Sequence, residues 1–271
     1  MGRELRARFR GTLFGPLWML IQPLLFLVVY FTVFVQFFNM SGNLPPEIGG
    51  DHPLRPLYED NAKAVFALSM FVGLIPWIAL SETIARATGC IMENGSLIKK
   101  LAFPSELLPV YLVGVSLVNT AVSMVVLAVA IFLILGGTTP EMLWLLPLML
   151  ILQGIFTLGL AYIVSATAVF IRDLMQMVPI LLTFIFFLSP IFYVTKTVQS
   201  DLAWIMEWNP VTYVIEPYRQ MFVFFPGLFP ETSVGEAPWR MVGILAVVAL
   251  STLFVGYHIF MRLKPRFADE V

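Results

Sequence analysis

From residue 107 through residue 135 the chain carries no aspartate, glutamate, lysine or arginine. As a helix this run is about 43 Å long, against a bilayer core of about 30 Å. In hydrocarbon each backbone N–H and C=O needs an internal partner, which an α-helix supplies within one segment. The excess length calls for tilt or protrusion. Similar apolar runs occupy residues 18–38, 64–80, 144–171, 177–194 and 241–261. The chain therefore reads as an all-α membrane protein of six transmembrane helices, in one membrane domain over residues 1–271. Only 12% of residues are charged, where a soluble domain carries about a quarter.

Charge placement gives the orientation. Residues 2–10 form a short amphipathic helix in this reading, with Leu5, Phe9 and Leu13 on one stripe and Arg3, Arg6, Arg8 and Arg10 on the other faces. Such a helix lies in the membrane interface; the alternative is that the arginines only set topology. Six spans place Arg3, Arg6, Arg8, Arg10, Arg86, Lys99, Lys100, Arg172, Arg262, Lys264 and Arg266 on one side, and Arg55, Lys63, Lys196, Arg219 and Arg240 on the other. The excess of basic residues marks the first side, with both termini, as cytoplasmic.

The interval 195–240 is too long for a simple loop and too apolar for an exposed one. Asn209-Pro210 precedes an apolar run interrupted by Glu216, Pro217 and Arg219. A full span here would bury two charges at about 2.5–3.5 kcal/mol each. It would also send the basic tail outside. Two short re-entrant helices meeting near Glu216-Pro217 avoid both.

Residues 80–104 are the longest polar interval on the cytoplasmic side, with Glu82, Arg86, Glu93, Lys99 and Lys100. Ile84, Thr88, Ile91 and Leu97 or Ile98 keep a helical spacing, which suits a helix lying along the membrane surface. Asn94-Gly95 is a turn signal, and Pro104 opens the next helix. A plain interfacial loop is the competing reading.

No chemistry of the chain's own stands out. There is no G-x-x-x-x-G-K-[ST] phosphate loop. The span cores lack the carboxylates and histidines of ion-driven carriers. Asp51, Asp60, Asp173 and Asp201 are scattered over both sides, which argues against a metal-diphosphate cluster. His52 and His258 are far apart, so no metal site is expected. Cys90 is the only cysteine and excludes an internal disulfide. A membrane body without an engine points to a motor on another chain.

Ordered motifs carry a resemblance. Arg8-Phe9-Arg10-Gly11-Thr12, Gly15, Trp18 and Gln22-Pro23 open the series, followed by Gly73-Leu74-Ile75-Pro76-Trp77. Glu93-Asn94-Gly95-Ser96-Leu97-Ile98-Lys99-Lys100 and Phe103-Pro104 come next. Phe170-Ile171-Arg172-Asp173, Leu188-Ser189-Pro190-Ile191-Phe192-Tyr193 and Trp208-Asn209-Pro210 complete it. Together they resemble the type-2 ABC permeases that export polysaccharides. Wzm-type exporters of lipid-linked O-antigen are most similar, with teichoic-acid and capsule permeases as cousins. One departure is a shorter lead-in before the Arg-rich run.

The resemblance implies a transport subunit of the bacterial inner membrane, with no catalytic site or cofactor of its own. Two copies would form a channel above two nucleotide-binding ATPase subunits, which hold the ATP and Mg. No nucleic-acid partner is implied. Glu93, Asn94, Ser96, Leu97, Ile98, Lys99 and Lys100 would form the ATPase-coupling helix. Asn209, Pro210, Glu216, Pro217 and Arg219 would belong to an outer gate. The cargo would be a polysaccharide on a lipid diphosphate. Arg6, Arg8 and Arg10 suit the diphosphate, since guanidinium matches phosphate oxygens; bilayer phosphates are the alternative ligand. Tyr30, Phe34, Phe37, Trp77 and Tyr193 offer ring faces on which sugars stack, or else face lipid and neighbouring helices. Two rival classes are a membrane-embedded glycosyl or lipid-phosphate transferase, resting on Asp173 or Glu216, and a non-transporting scaffold.

Overall fold

The computed structural model describes residues 62–100, 103–134, 143–191, 203–222 and 237–270, together with 17 and, from the first expected span, 21, 24–26, 28–29 and 31–37. Its regular elements are all helical. They are α1 (Ala62–Glu93), α2 (Gly95–Lys100), α3 (Leu107–Ile134), α4 (Leu146–Ala168), α5 (Leu174–Leu188), α6 (Ala203–Trp208), α7 (Pro210–Phe222), α8 (Ala237–Leu263) and α9 (Phe267–Glu270). A π-helical turn, Phe31–Phe37, packs against α1.

Among the described residues, Phe66–Glu93, Leu107–Leu133, Leu143–Ala168 and Trp239–Glu270 are helical and apolar over a length that crosses a membrane. Three of these correspond to the runs expected at 107–135, 144–171 and 241–261. The expected span 177–194 is the shorter apolar helix α5, about 22 Å long at the helical rise; residues 192–194 lie outside the described part. Residues 18–20, 22–23, 27, 30 and 38 of the expected span 18–38 lie outside it as well.

The run expected to end at residue 80 does not end there. Helix α1 continues to Glu93. The added turns are amphipathic. Glu82 and Arg86 pair across one turn at 2.6 Å on a partly exposed face, while Ile84, Ala87, Thr88 and Ile91 are buried on the other. Thr83 and Thr88 donate to the carbonyls of Ala79 and Ile84, which satisfies both buried hydroxyls. The face expected to lie along the membrane surface is thus packed inside the body, against Val113, Ala161 and Tyr162.

Asn94 ends this helix and starts the next. Its amide donates to the Cys90 carbonyl at 2.9 Å, satisfying a C-terminal acceptor. Its own carbonyl accepts from Leu97 and Ile98. Residues 80–93 of the polar interval therefore belong to α1, and only Gly95–Lys100 form a separate helix, the short α2.

Helices α4 and α8 make the closest crossing. A Cβ on Gly159 would lie 2.5 Å from the Leu253 nitrogen and from the Thr252 carbonyl carbon. One on Gly256 would run into the Gly159 carbonyl oxygen. Backbone packing of this kind depends on small residues in a membrane body, where lipid is as apolar as leucine. Near the same end of both helices, the exposed rings of Trp144 and Trp239 stand 5.8 Å apart. That is the placement of an interfacial aromatic belt.

Gly159→Ala and Gly256→Ala are expected to lower the thermal unfolding midpoint, at the scale of about 1–3 kcal/mol for overpacking. Gly243→Ala serves as the control, because a Cβ there meets nothing within 4 Å. It should leave the midpoint unchanged or raise it, since alanine is the better helix former.

Candidate functional site

Two polar regions interrupt the apolar body. The first is the elbow between α1 and α3. Glu93, Ser96 and Lys99 are exposed on it, and Asn94, Leu97 and Ile98 are half-buried. The side chain of Lys100 lies outside the described residues. Glu93 folds back over Gly89, where a Cβ would stand 2.9 Å from its carboxylate oxygen. The elbow thus presents polar tips outward and apolar side chains inward.

Beneath the elbow is a second apolar cluster. Cys90, Ile91, Tyr162, Val169, Phe260 and Phe267 form it, with Ile98 of the elbow packed on its edge. An ion pair flanks it, Lys264 Nζ to Glu106 Oε2 at 2.6 Å. Burial, the largest single influence, would raise the Glu106 carboxyl, but the hydrogen bond from Lys264, a backbone hydrogen bond and the charge of the Lys264 ammonium together hold the group below the ordinary carboxylate value. Both side chains are about a third exposed. Such a pair is worth about 0–1 kcal/mol, so the apolar cluster contributes most of the fixing.

The second region surrounds α7. Asn209 caps this helix: the Val211 N–H donates to its side-chain oxygen at 3.0 Å and the Thr212 N–H to its carbonyl at 3.0 Å. Pro210 follows at the first helical position, where no N–H is needed. The Asn209 amide also donates to the Leu188 carbonyl and the Ser189 hydroxyl, tying the helix to the end of α5.

The expected break near Glu216-Pro217 is accordingly corrected. The two short helices meet at Asn209, and Pro217 lies inside α7. An asparagine cap followed by proline opens a helix without losing a bond. Pro217 forgoes one bond in a helix buried on nearly every side, the setting in which a membrane body tolerates proline.

The charges of α7 are internal. Glu216 is 6% exposed and Arg219 1%. Arg219 Nη1 donates to Glu216 Oε2 at 3.1 Å, and Nη2 donates to the carbonyls of Pro190 and Ile191 at 2.7 and 3.0 Å. Gly73 of α1 leaves the room: a Cβ there would stand 3.3 Å from the guanidinium and 3.0 Å from Ile215. The neighbouring Tyr218 hydroxyl donates to Gln153 Oε1 at 2.8 Å, and the Gln153 amide donates to the Pro76 carbonyl at 3.2 Å. The hub thus joins α1, α4, α7 and the end of α5.

Other sequence candidates are not brought together. Trp77 is 5% exposed, packed in the core with its ring 5.8 Å from that of Phe186, so in this chain it faces no open space. Phe37 is 77% exposed. The side chain of Phe34, and Tyr30, Tyr193, Arg6, Arg8 and Arg10, lie outside the described residues. Arg172 and Asp173 are exposed in the tight turn between α4 and α5. Among the described residues no group of three or more His, Cys, Asp or Glu could hold a metal ion.

Sequence reasoning missed Gln153, Tyr218 and Phe267. Gln153 had a signal: it is the only amide or charged side chain in the run 144–171, and a lone amide in such a run needs a partner. Tyr218 and Phe267 had none apart from their apolar surroundings.

Among the described residues every regular element is helical and four helices are long and apolar enough to cross a bilayer, which defines a multi-pass membrane protein. The chain matches the family model described as ABC-2 type transporter over residues 1–223, and it belongs to that family. It is 30% identical to the O-antigen export system permease protein RfbA of Myxococcus xanthus, across 99% of this chain and 92% of that protein. It is 26% identical to an O-antigen export system permease protein RfbA of Klebsiella pneumoniae, across 98% and 91%. With the polysialic acid transport protein KpsM of Escherichia coli the identity is 24%, across 95% and 89%.

Removing one member of the buried pair should be costly. Arg219→Met leaves the Glu216 carboxylate buried without the guanidinium, a loss of about 3–5 kcal/mol. The double change Arg219→Met with Glu216→Leu should recover much of the thermal midpoint. A double variant no more stable than Arg219→Met would contradict the pairing.

Proposed function

We propose that the chain is the membrane subunit of an ATP-driven exporter that moves lipid-diphosphate-linked polysaccharide, O-antigen-like, across the bacterial inner membrane. The observation that carries this reading is the similarity along nearly the whole chain to O-antigen export permeases. The weaker likeness to KpsM favours a second reading, export of a capsule polysaccharide. Both readings share one architecture.

Two copies of the chain form the channel, and two nucleotide-binding subunits dock below. ATP and Mg act on those subunits. The chain itself supplies a path and a contact surface. Six spans leave both termini in the cytoplasm, in keeping with the distribution of basic residues. The elbow Glu93–Lys100 meets the ATPase: its polar tips at Glu93, Ser96 and Lys99 face outward, while Ile98 anchors it to the body.

Helices α6 and α7 form the re-entrant outer gate. Support comes from the near-complete burial of α7 against the Trp144- and Trp239-proximal halves of the spans. Its charges there are balanced internally, as membrane depth requires. Arg6, Arg8 and Arg10 receive the diphosphate at the cytoplasmic leaflet. Tyr30, Phe34, Phe37 and Tyr193 offer sugar-stacking faces.

Deleting the gene should leave a lipid-linked surface polysaccharide accumulating inside the cell. Chemical analysis of that polymer separates O-antigen from capsule. In the complemented strain, Glu93→Lys and Lys99→Glu should lower export about tenfold, within the usual range of coupling energies. ATP hydrolysis by the complex should persist. Normal export in both variants would remove the elbow from the account.

A further inference from the structure

The cluster beneath the elbow contains a residue from far along the chain. Helix α8 ends at Leu263, a 3-10 turn covers Lys264–Arg266, and Phe267 opens α9. Phe267 is 1% exposed. Its ring centroid lies 5.3 Å from that of Phe260 and 6.3 Å from that of Phe170. The same cluster holds Ile91 from the end of α1 and Tyr162 from α4, and Ile98 of the elbow packs on it. Helix α9 itself lies against α2.

The segment 264–270 therefore touches both flanks of the elbow as well as the elbow itself. Phe267 shares a cluster with Ile91, just before the elbow. Lys264 pairs with Glu106, just after it. A helix as short as α2 has little stability in isolation, so its orientation follows from what it packs against. What it packs against is the terminal turn of the last span.

We propose that the turn 264–270, anchored by Phe267 and by the Lys264–Glu106 pair, holds the elbow in register with α8. Movement of the elbow is then delivered to the last span as well as to α1 and α3. The proposal rests on the reading of the elbow as the ATPase contact. Phe267 is a positioning residue in it: it touches neither nucleotide nor cargo, and it acts through Ile98 and Ile91.

The test uses the complete complex with its ATPase subunits in proteoliposomes, reading export, ATP hydrolysis and ATPase co-purification together. Phe267→Ala should lower export about 5- to 150-fold while hydrolysis and co-purification persist. Phe267→Leu, which keeps an apolar side chain of similar reach, should retain export. Lys264→Glu should lower export, and adding Glu106→Lys should restore it, which keeps the proposal open to test even if Phe267→Ala folds poorly.

Normal export in Phe267→Ala would overturn the proposal. So would a loss of export in a stably folded variant that merely follows loss of co-purification, or a failure of the charge swap to restore export. Lys99→Glu, run in parallel, separates the two levels. If Lys99→Glu and Glu93→Lys also export normally, the elbow reading itself fails. If Lys99→Glu uncouples and Phe267→Ala does not, only the role of the turn fails.

Discussion

Arg219 lies almost without exposed surface in an apolar body, and the cost of a guanidinium in such a place governs what surrounds it. Glu216 neutralises it one turn away. The carbonyls of Pro190 and Ile191 accept from its second nitrogen. Gly73, which has no side chain, leaves room for it. The Ser189-Pro190 corner, whose proline has no N–H to donate, leaves the end of α5 turned toward the guanidinium. Nearby, Gln153 and Tyr218 settle the carbonyl of Pro76 in the same manner. A hub of this kind fixes α7 to three other elements with few alternatives, because each group released from it would be left unpaired in a medium without water.

The half of the body that carries the elbow follows a different rule. There the helices converge on apolar contacts, with the Gly159–Gly256 crossing allowing α4 and α8 to touch through their backbones. Phe267 closes the cluster from below. The two halves suit two tasks. A directional polar hub supports one discrete arrangement of α7. An apolar cluster joined to an elbow suits the transmission of movement proposed above. Membership in the ABC-2 type transporter family fits this division.

Much of the body was legible in the sequence because residues 107–135, 144–171 and 241–261 are long apolar runs. The end of α1 was not. Glu82, Arg86 and Glu93 lower the average hydropathy, yet they share a face, so the helix continues while its other face stays buried. Glu216-Pro217 in mid-run draws the expected break, although Asn209-Pro210 carries the stronger local chemistry: a cap and a residue that needs no N–H. The charges of α7 were recognised as costly, but the partner carbonyls at Pro190 and Ile191 are non-local, and no spacing in the sequence points to them. Phe267 is one aromatic residue beside a basic tail, and only the folded contacts distinguish it.

The central claim is that this chain is the path and contact surface of an exporter whose engine lies on other subunits. Purified chain can be placed in proteoliposomes loaded with lipid-linked polysaccharide, with and without its ATPase subunits, and translocation followed on adding ATP and Mg. The account predicts translocation only when chain, ATPase and ATP are all present. Translocation by the chain alone, or by the complete complex without ATP hydrolysis, would contradict it.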